Sequence, residues 1–504
     1  MREMFQMMTK KIILILLIPL FISFNLLPQT KHQLEKTILK GLEHSYHFRW
    51  DKAEETFKEV IEKYPDSPQG YHFLSSIYAW YYLSSKNKAD LDSFVIYSDM
   101  ALDRGKDVLD KNPEDDNLCY IIGSNYSYRS IVFAAAENYL DAVWAGKKSD
   151  SYLNDALEIN PENYDAYLGM GLFSFAAGQT PTAFKWALKL AGISGDIETG
   201  LNHIKLAAEK GKYSKVEAQY YYSQIVAEYN LASDYLTSLV KKYPGNILFS
   251  YSLAALNIKE RKLDSAGKIL KKITNNENPK FIQIISFSNF LLGDVFYKKN
   301  NFDSAIVYYR NFLETTPDND YTGIASLRLG ISYEITGELE NAEFYFGLTG
   351  NGNMDLDDDI FAKRKGAVYF KRRLSDNDIA VIKAANLIDS GNYQAAYDSL
   401  TNILDKLVSD ELKAETYLYL SEVAFYLGNY DESVSLAAAA IQTKVTEEKW
   451  ILPYANYYAA RSNHKTGDER AVNYFIEQVE EYSDYDYQNK MKNLLYALKQ
   501  KKLL

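Results

Sequence analysis

The chain has 504 residues, of which 47% are hydrophobic and 24% charged, so it can bury a large core and is neither a disordered segment nor a small disulfide scaffold. Its single cysteine, Cys119, excludes an intramolecular disulfide, a cysteine zinc site and a redox pair, and 11 prolines with 25 glycines are too few for a loop-rich β protein. The formal net charge of −11 argues against generic nucleic-acid binding, which needs phosphate neutralisation.

Arg2, Lys10 and Lys11 form a basic flank before an apolar run from Ile12 to Leu27, which Pro28 closes. The run is shorter than the roughly 20 residues of a stable membrane span and close to the length of a secretory h-region. Residues 1–30 are therefore expected to be a signal peptide, with an uncleaved membrane anchor through residues 12–27 as the alternative and a buried core helix as the third reading. Either of the first two exports the remainder of the chain, to the periplasm or cell envelope. No Cys follows the apolar run, so a bacterial lipoprotein anchor is excluded.

From here a single phrase recurs: a helix, then Gly-x-aromatic-x-x-Ala, then a second amphipathic helix. It reads Phe48-Arg-Trp50-Asp-Lys-Ala53, Asn300-Asn-Phe302-Asp-Ser-Ala305, Gly337-Glu-Leu339-Glu-Asn-Ala342, Gly391-Asn-Tyr393-Gln-Ala-Ala396 and Gly428-Asn-Tyr430-Asp-Glu-Ser433. Leu-Gly-x-x-aromatic precedes some copies, as Leu292-Gly293 with Phe296 and Leu329-Gly330 with Tyr333. A large residue and then a Pro follow others, as in Ala53, Phe57, Pro65 and Ala305, Tyr309, Pro317. The phrase resembles the tetratricopeptide repeat (TPR), a helix–turn–helix unit, over most of residues 35–480. The resemblance implies an all-α solenoid, a right-handed superhelix of antiparallel helix pairs. Small residues at Gly and Ala let paired helices approach closely, and the aromatics fill the space between pairs.

The spacing divides the chain. Pro65, Pro113 and Pro161 are 48 apart, as are Tyr71, Cys119 and Tyr167, so the early helices are longer than the standard repeat. Later copies run closer, with 37 residues from Ala305 to Ala342 and from Ala396 to Ser433. This predicts an extended-helix half over 31–245 and a more regular solenoid over 246–504. The longer gap from Ala342 to Ala396 predicts an inserted loop and an extra helix. Gln488 to Leu504, Lys-rich and apolar on one face, reads as a capping helix.

A second resemblance lies in residues 164–230. Tyr164-Asp-Ala-Tyr-Leu-Gly-Met-Gly171, then Lys185-Trp186, then Gly192-Ile-Ser194-Gly195-Asp196 are similar to the inclusion-body-clearance family, the tetratricopeptide repeat protein 39 group. This likeness implies a helical scaffold and brings no catalytic residue. Read from the residues, Ser194 or Asp196 caps a helix from Ile197 to Lys210 that Gly211 closes, with an anion site at the helix start as the minor reading.

No motif calls for a cofactor or a metal. Gly169-Met-Gly171 is too short for a dinucleotide fingerprint, and no Gly-rich loop with Lys-Ser/Thr is present. His44 and His47 share a helix face but have no evident third ligand, so a surface pair is expected. Asn351-Gly-Asn353-Met-Asp355-Leu-Asp357-Asp-Asp359 has the alternating oxygens of a calcium loop but lacks its Gly and its terminal Glu. The acids also suit a helix N-terminus whose far end carries Lys371-Arg372-Arg373.

TPR concave faces, lined by the first helix of each pair, bind extended or helical segments of partner proteins. The repeat phase places Trp80, Tyr128, Phe290, Asp294, Tyr297, Glu422, Phe425 and Tyr426 on or near that face. The expected function is a non-enzymatic, exported scaffold binding protein partners. The alternative is a glycan-binding protein resembling the outer-membrane starch-binding proteins built on TPR helices. The 43 tyrosines fit inter-repeat packing first and a contact surface second.

Overall fold

The structure, a computed structural model, describes residues 31–179, 194–226 and 228–499. The expected signal or anchor segment, residues 1–30, and Lys185-Trp186 of the second resemblance lie outside them. Among the described residues there are α-helices and two single-turn 3-10 segments, and no strand. Consecutive helices pack in pairs, for example Asp116–Ala135 on Tyr139–Ile159, Ile282–Lys298 on Phe302–Thr315, and Asp410–Tyr426 on Tyr430–Gln442. Connections this short force the two helices of a pair antiparallel.

In nine of the described pairs the turn uses one residue in the left-handed region. It is Phe48, Lys86, Glu137, Arg261, Asn300, Gly337, Gly391, Gly428 or Gly467, with φ from 55° to 89°. This is the first position of the recurring phrase, and it explains why Gly recurs there: an L side chain costs about 1–2 kcal/mol in this conformation. The small residue that ends the phrase lies against the partner helix. Ala53, Ala305, Ala342, Ala396 and Ser433 are all fully or almost fully buried.

A second contact fixes the pair. A methyl group on Gly41, Gly293 or Gly330 would lie 2.4–2.7 Å from the ring of Phe57, Tyr309 or Phe346 on the second helix. These glycines are contact points at which backbone meets an aromatic face.

The chain divides into two compact units, one of residues up to Leu253 with Pro279–Phe281, the other of Ala254–Asn278 with the residues from Ile282 onward. The division falls inside the helix Ile247–Lys259. The start of that helix is tied to the first unit by long-range bonds. Asn246 donates to the Tyr46 carbonyl (3.0 Å), and the Tyr243 hydroxyl donates to Glu43 (3.2 Å). Repeat spacing carries no information about such bonds. In the first unit, Pro68–Ser85, Lys88–Leu109, Asp116–Ala135 and Tyr139–Ile159 have 18, 22, 20 and 21 residues. Pro65, Pro113 and Pro161 each follow a helix end, where a missing N–H does no harm. Phe281 is fully buried there against Phe48 and Trp50, at ring separations of 4.5 and 5.1 Å.

In the second unit the inserted helix is Asp357–Lys371, preceded by the 3-10 turn Thr349–Asn351. The described part of the terminal segment is the helix Gln488–Lys499, which buries Met491, Leu495 and Leu498 along one face.

Two glycine substitutions test the pair contact. Tyr309 is fully buried and bonded through its hydroxyl, so it cannot yield to a new methyl. Gly293→Ala should destabilise the second unit by about 1–3 kcal/mol, despite the better helix propensity of Ala. Gly267→Ala, whose methyl would meet Val295 at an ordinary 3.4 Å, should stabilise it by about 0.5–1 kcal/mol. Equilibrium denaturation of both variants reads the two opposite shifts.

Candidate functional site

The first helices of the second-unit pairs turn one face each into a common cavity of about 510 Å3. The contributing positions follow helical spacing: Glu415, Leu418, Tyr419, Glu422 and Tyr426 on one helix, and Tyr454, Tyr457, Tyr458 and Arg461 on another. Tyr297, Arg328, Lys365, Tyr369 and Asn386 come from three earlier first helices and the inserted helix. The walls thus combine tyrosine rings with charged side chains and aliphatic residues such as Leu327, Ile331 and Ile382.

Most of the charges are held by ion pairs, rings or hydroxyls. Arg261 stacks on Tyr393 and Tyr426, with its guanidinium carbon 5.1 and 4.2 Å from their ring centres, and pairs with Glu422 at 3.2 Å. Arg328 pairs with Asp294, which also accepts the Tyr309 hydroxyl at 2.5 Å. Arg461 lies 4.1 Å over the Phe425 ring. Glu448 takes Lys365 and Arg364, each at 2.7 Å, and the Trp450 indole N–H at 2.9 Å. Arg364 also reaches Asp486 at 2.6 Å. Burial by itself would raise the Glu448 carboxyl, but Lys365 and Arg364 outweigh it and hold it down at about 2. Burial raises Glu415, which accepts the Tyr419 hydroxyl at 3.0 Å.

Of the residues placed on a concave face by repeat phase, Tyr297, Glu422 and Tyr426 line this cavity. Phe290, Asp294 and Phe425 do not. They are buried beneath it, Phe290 against Tyr309 and Phe312, Asp294 as the partner of Arg328, and Phe425 under Arg461. Trp80 and Tyr128 belong to the first unit and line a smaller chamber there, of about 50 Å3. Sequence reasoning missed Arg261, Lys365, Glu448 and Arg461. Arg261 occupies a turn position and Glu448 an irregular connection, where periodicity is silent. The run Tyr454, Tyr457, Tyr458, Arg461 did carry a legible one-face signal.

The other candidates resolve locally. Both oxygens of the fully buried Asp359 are spent on backbone N–H groups of Tyr321, Ile324 and Asn353, at 2.9 Å each. It therefore anchors the start of the helix Thr322–Thr336, while Asp357 opens its own helix, so the acidic run serves helix starts. His44 and His47 are half-buried rather than a surface pair. His47 contacts Glu43 at 3.2 Å and the Tyr243 ring edge at 5.0 Å, and burial lowers His44. Asp196 caps Ile197–Lys210 by accepting the Thr199 N–H at 2.8 Å. Gly171 packs against Gly200 and Ile204 of that helix. Among the described residues no three His, Cys, Asp or Glu side chains are grouped to hold a metal ion, and no described helix is long and apolar enough to cross a membrane.

The tetratricopeptide repeat family profile matches residues 45–67, the stretch that contains the first copy of the phrase. No curated protein matches the chain. Among solved structures the chain is similar to the TPR domain of P58(IPK), at 15% identity over 81% of this chain and 95% of that one, with a TM-score of 0.22. It is also similar to yeast Tom70 (13% identity, 94% and 96% covered, TM-score 0.27) and to the APC/C hetero-tetramer Cut9-Hcn1 (12%, 93% and 96%, 0.26). Such low TM-scores carry no argument, and the TPR-type fold rests on the helix pairs and the repeated turn described above. The likeness of residues 164–230 to the tetratricopeptide repeat protein 39 group is not supported. Its Gly-Asp signature has a local cause: a methyl on Gly195 would lie 2.5 Å from the Ser174 carbonyl oxygen, and Asp196 is a helix cap.

The Glu448 cluster sets a pH dependence. Its folded-state carboxyl is depressed, so its stabilisation is complete above the ordinary glutamate range and is lost as pH falls through that range toward about 2. Glu448→Gln should cost about 3–5 kcal/mol near neutrality, because the buried Lys365 loses its ion-pair partner and Arg364 keeps only Asp486. It should also flatten the acid limb of the stability profile, measured by urea denaturation from pH 6 downward.

Proposed function

We propose that this chain is a non-enzymatic, exported scaffold that binds a protein partner in the cell envelope and holds an extended or helical segment of it in the second-unit groove. The observation that carries the reading is the groove itself: a cavity of about 510 Å3 lined by tyrosine, aliphatic and charged residues, several of its charges oriented by ion pairs. Tyrosine suits reversible contact, since it covers apolar surface with its ring and keeps a hydroxyl for hydrogen bonding at little cost in side-chain entropy. The paired charges at the walls favour a partner segment of mixed polarity over a purely apolar one. The basic flank and apolar run of residues 1–27 support the export part.

Two experiments check this. A photoreactive amino acid in place of Tyr426, a half-open groove residue, should cross-link one protein from envelope extracts. The same group at Val408, 88% exposed and outside the groove, should not. Equal cross-linking at both positions, or retention on a polysaccharide column with no cross-linked protein, sinks the assignment. A reporter enzyme fused after residue 60 should be active outside the cytoplasm; activity confined to the cytoplasm removes the export claim.

A further inference from the structure

The first unit contains a chamber of different chemistry. On the helix Lys215–Ile225, Glu217, Tyr220 and Tyr221 share one face by their spacing. Trp80 stands opposite, with its ring centre 6.5 Å from those of Tyr220 and Tyr221. Phe249 closes on Tyr220 at 5.3 Å, and Tyr128, from the helix Asp116–Ala135, donates its hydroxyl to one Glu217 oxygen at 2.7 Å. The other Glu217 oxygen has no hydrogen-bond partner among the described residues, and no described Lys or Arg lines the chamber. Glu217, Trp80, Tyr128 and Tyr220 are only half-buried, so the chamber can be reached from solvent.

A carboxylate enclosed by aromatic faces with no counter-charge is costly for the protein alone. The same surroundings favour an organic cation. The ring faces attract an ammonium group through their quadrupoles, and the carboxylate supplies the opposite charge. We propose that this chamber binds an ammonium headgroup, with Glu217 as the counter-ion and Trp80, Tyr128 and Tyr220 as the aromatic walls. The ammonium can belong to a free amine or to a lysine side chain of a partner, and the test below separates the two.

Glu217 is the group in the chamber that titrates near neutrality. Burial pushes its carboxyl up to about 7, opposed only by the Tyr128 bond. The facing groups do not change charge there. Burial holds Tyr46, Tyr120, Tyr128, Tyr213, Tyr220 and Tyr221 above their ordinary range, and holds His72 neutral at about 3. Asp165, the other carboxylate at the chamber, accepts the backbone N–H groups of Lys212, Tyr213 and Ser214 through one oxygen. Glu43, on the first helix behind Tyr46, is engaged by His47 and Tyr243.

The test is calorimetric titration of the full chain with choline, tetramethylammonium and the amide of Nα-acetyl-lysine. The control is the neutral isostere of choline, in which carbon replaces the charged nitrogen. At about pH 8 at least one ammonium compound should bind saturably, and choline at least about tenfold more tightly than its isostere. Since the ionised carboxylate binds the cation, affinity should fall about tenfold between pH 8 and pH 6 as protons compete at Glu217. Glu217→Gln should weaken binding at least about tenfold while keeping its far-ultraviolet circular dichroism. Trp80→Leu should weaken it without removing the pH dependence. Tighter binding of the lysine amide assigns a primary ammonium of the kind a partner's lysine presents, and tighter binding of choline assigns a free quaternary ammonium compound; either ranking supports the site. No saturable binding of any ammonium compound, equal binding of the isostere, or unchanged binding by folded Glu217→Gln overturns the proposal. If Glu217→Gln does not fold, the comparison of choline with its isostere on the parent chain decides.

Discussion

The structure depends on how closely two helices of a pair can approach. Where the first helix carries Gly41, Gly293 or Gly330, the ring of Phe57, Tyr309 or Phe346 lies directly on its backbone. Any side chain at the glycine would hold the helices apart and leave the rings without a seat. One residue in the left-handed region reverses the chain between the helices, so local backbone preference and inter-helix packing select the same pairing. Each pair leaves an apolar face uncovered, and the next pair covers it. In this way a long chain with one thiol and few prolines builds a series of hydrophobic clusters along each unit without covalent staples.

That contact also reaches the groove. Tyr309 fits against Gly293 because the glycine leaves room, and its hydroxyl meets Asp294, the next residue. Asp294 in turn holds Arg328 at the groove wall. A residue buried in the pair interface thereby orients a charge on the binding surface. The same logic recurs where Phe425 is buried and Arg461 lies over it. The aromatic packing and the charged groove are one structure seen from two sides, and the tyrosine excess serves both, since a tyrosine ring packs while its hydroxyl organises a carboxylate.

The two units use these materials differently. In the second, carboxylates face cations: Glu422 meets Arg261, and Glu448 meets Lys365 and Arg364. In the first, Glu217 meets only a tyrosine hydroxyl. Burial acts on the carboxylates of both units in the same direction. Glu448, with two cations on it, ends at about 2; Glu422, with Arg261, is still raised by burial; and Glu217, with only a tyrosine hydroxyl, ends at about 7.

The sequence by itself determined the helix pairs, their turn positions, the inserted helix after Ala342, the cap at Asp196 and the lengthened early helices. Each of these is set by neighbours a few residues away, through dihedral preference, capping and the 3.6-residue period. The repeat phase also picked out Tyr297, Glu422 and Tyr426, which line the second-unit cavity. Phe290, Asp294 and Phe425 are buried beneath its wall, Phe290 and Asp294 on the same helix face as Tyr297, because a period fixes the face and not the depth of a side chain. Only the tertiary structure decided that the units divide inside Ile247–Lys259, that Asp359 serves the start of Thr322–Thr336, and that Arg261 and Glu448 complete the groove. Those outcomes depend on bonds between residues far apart in the chain, such as Asn246 with Tyr46 or Arg261 with Glu422, and no local preference encodes them.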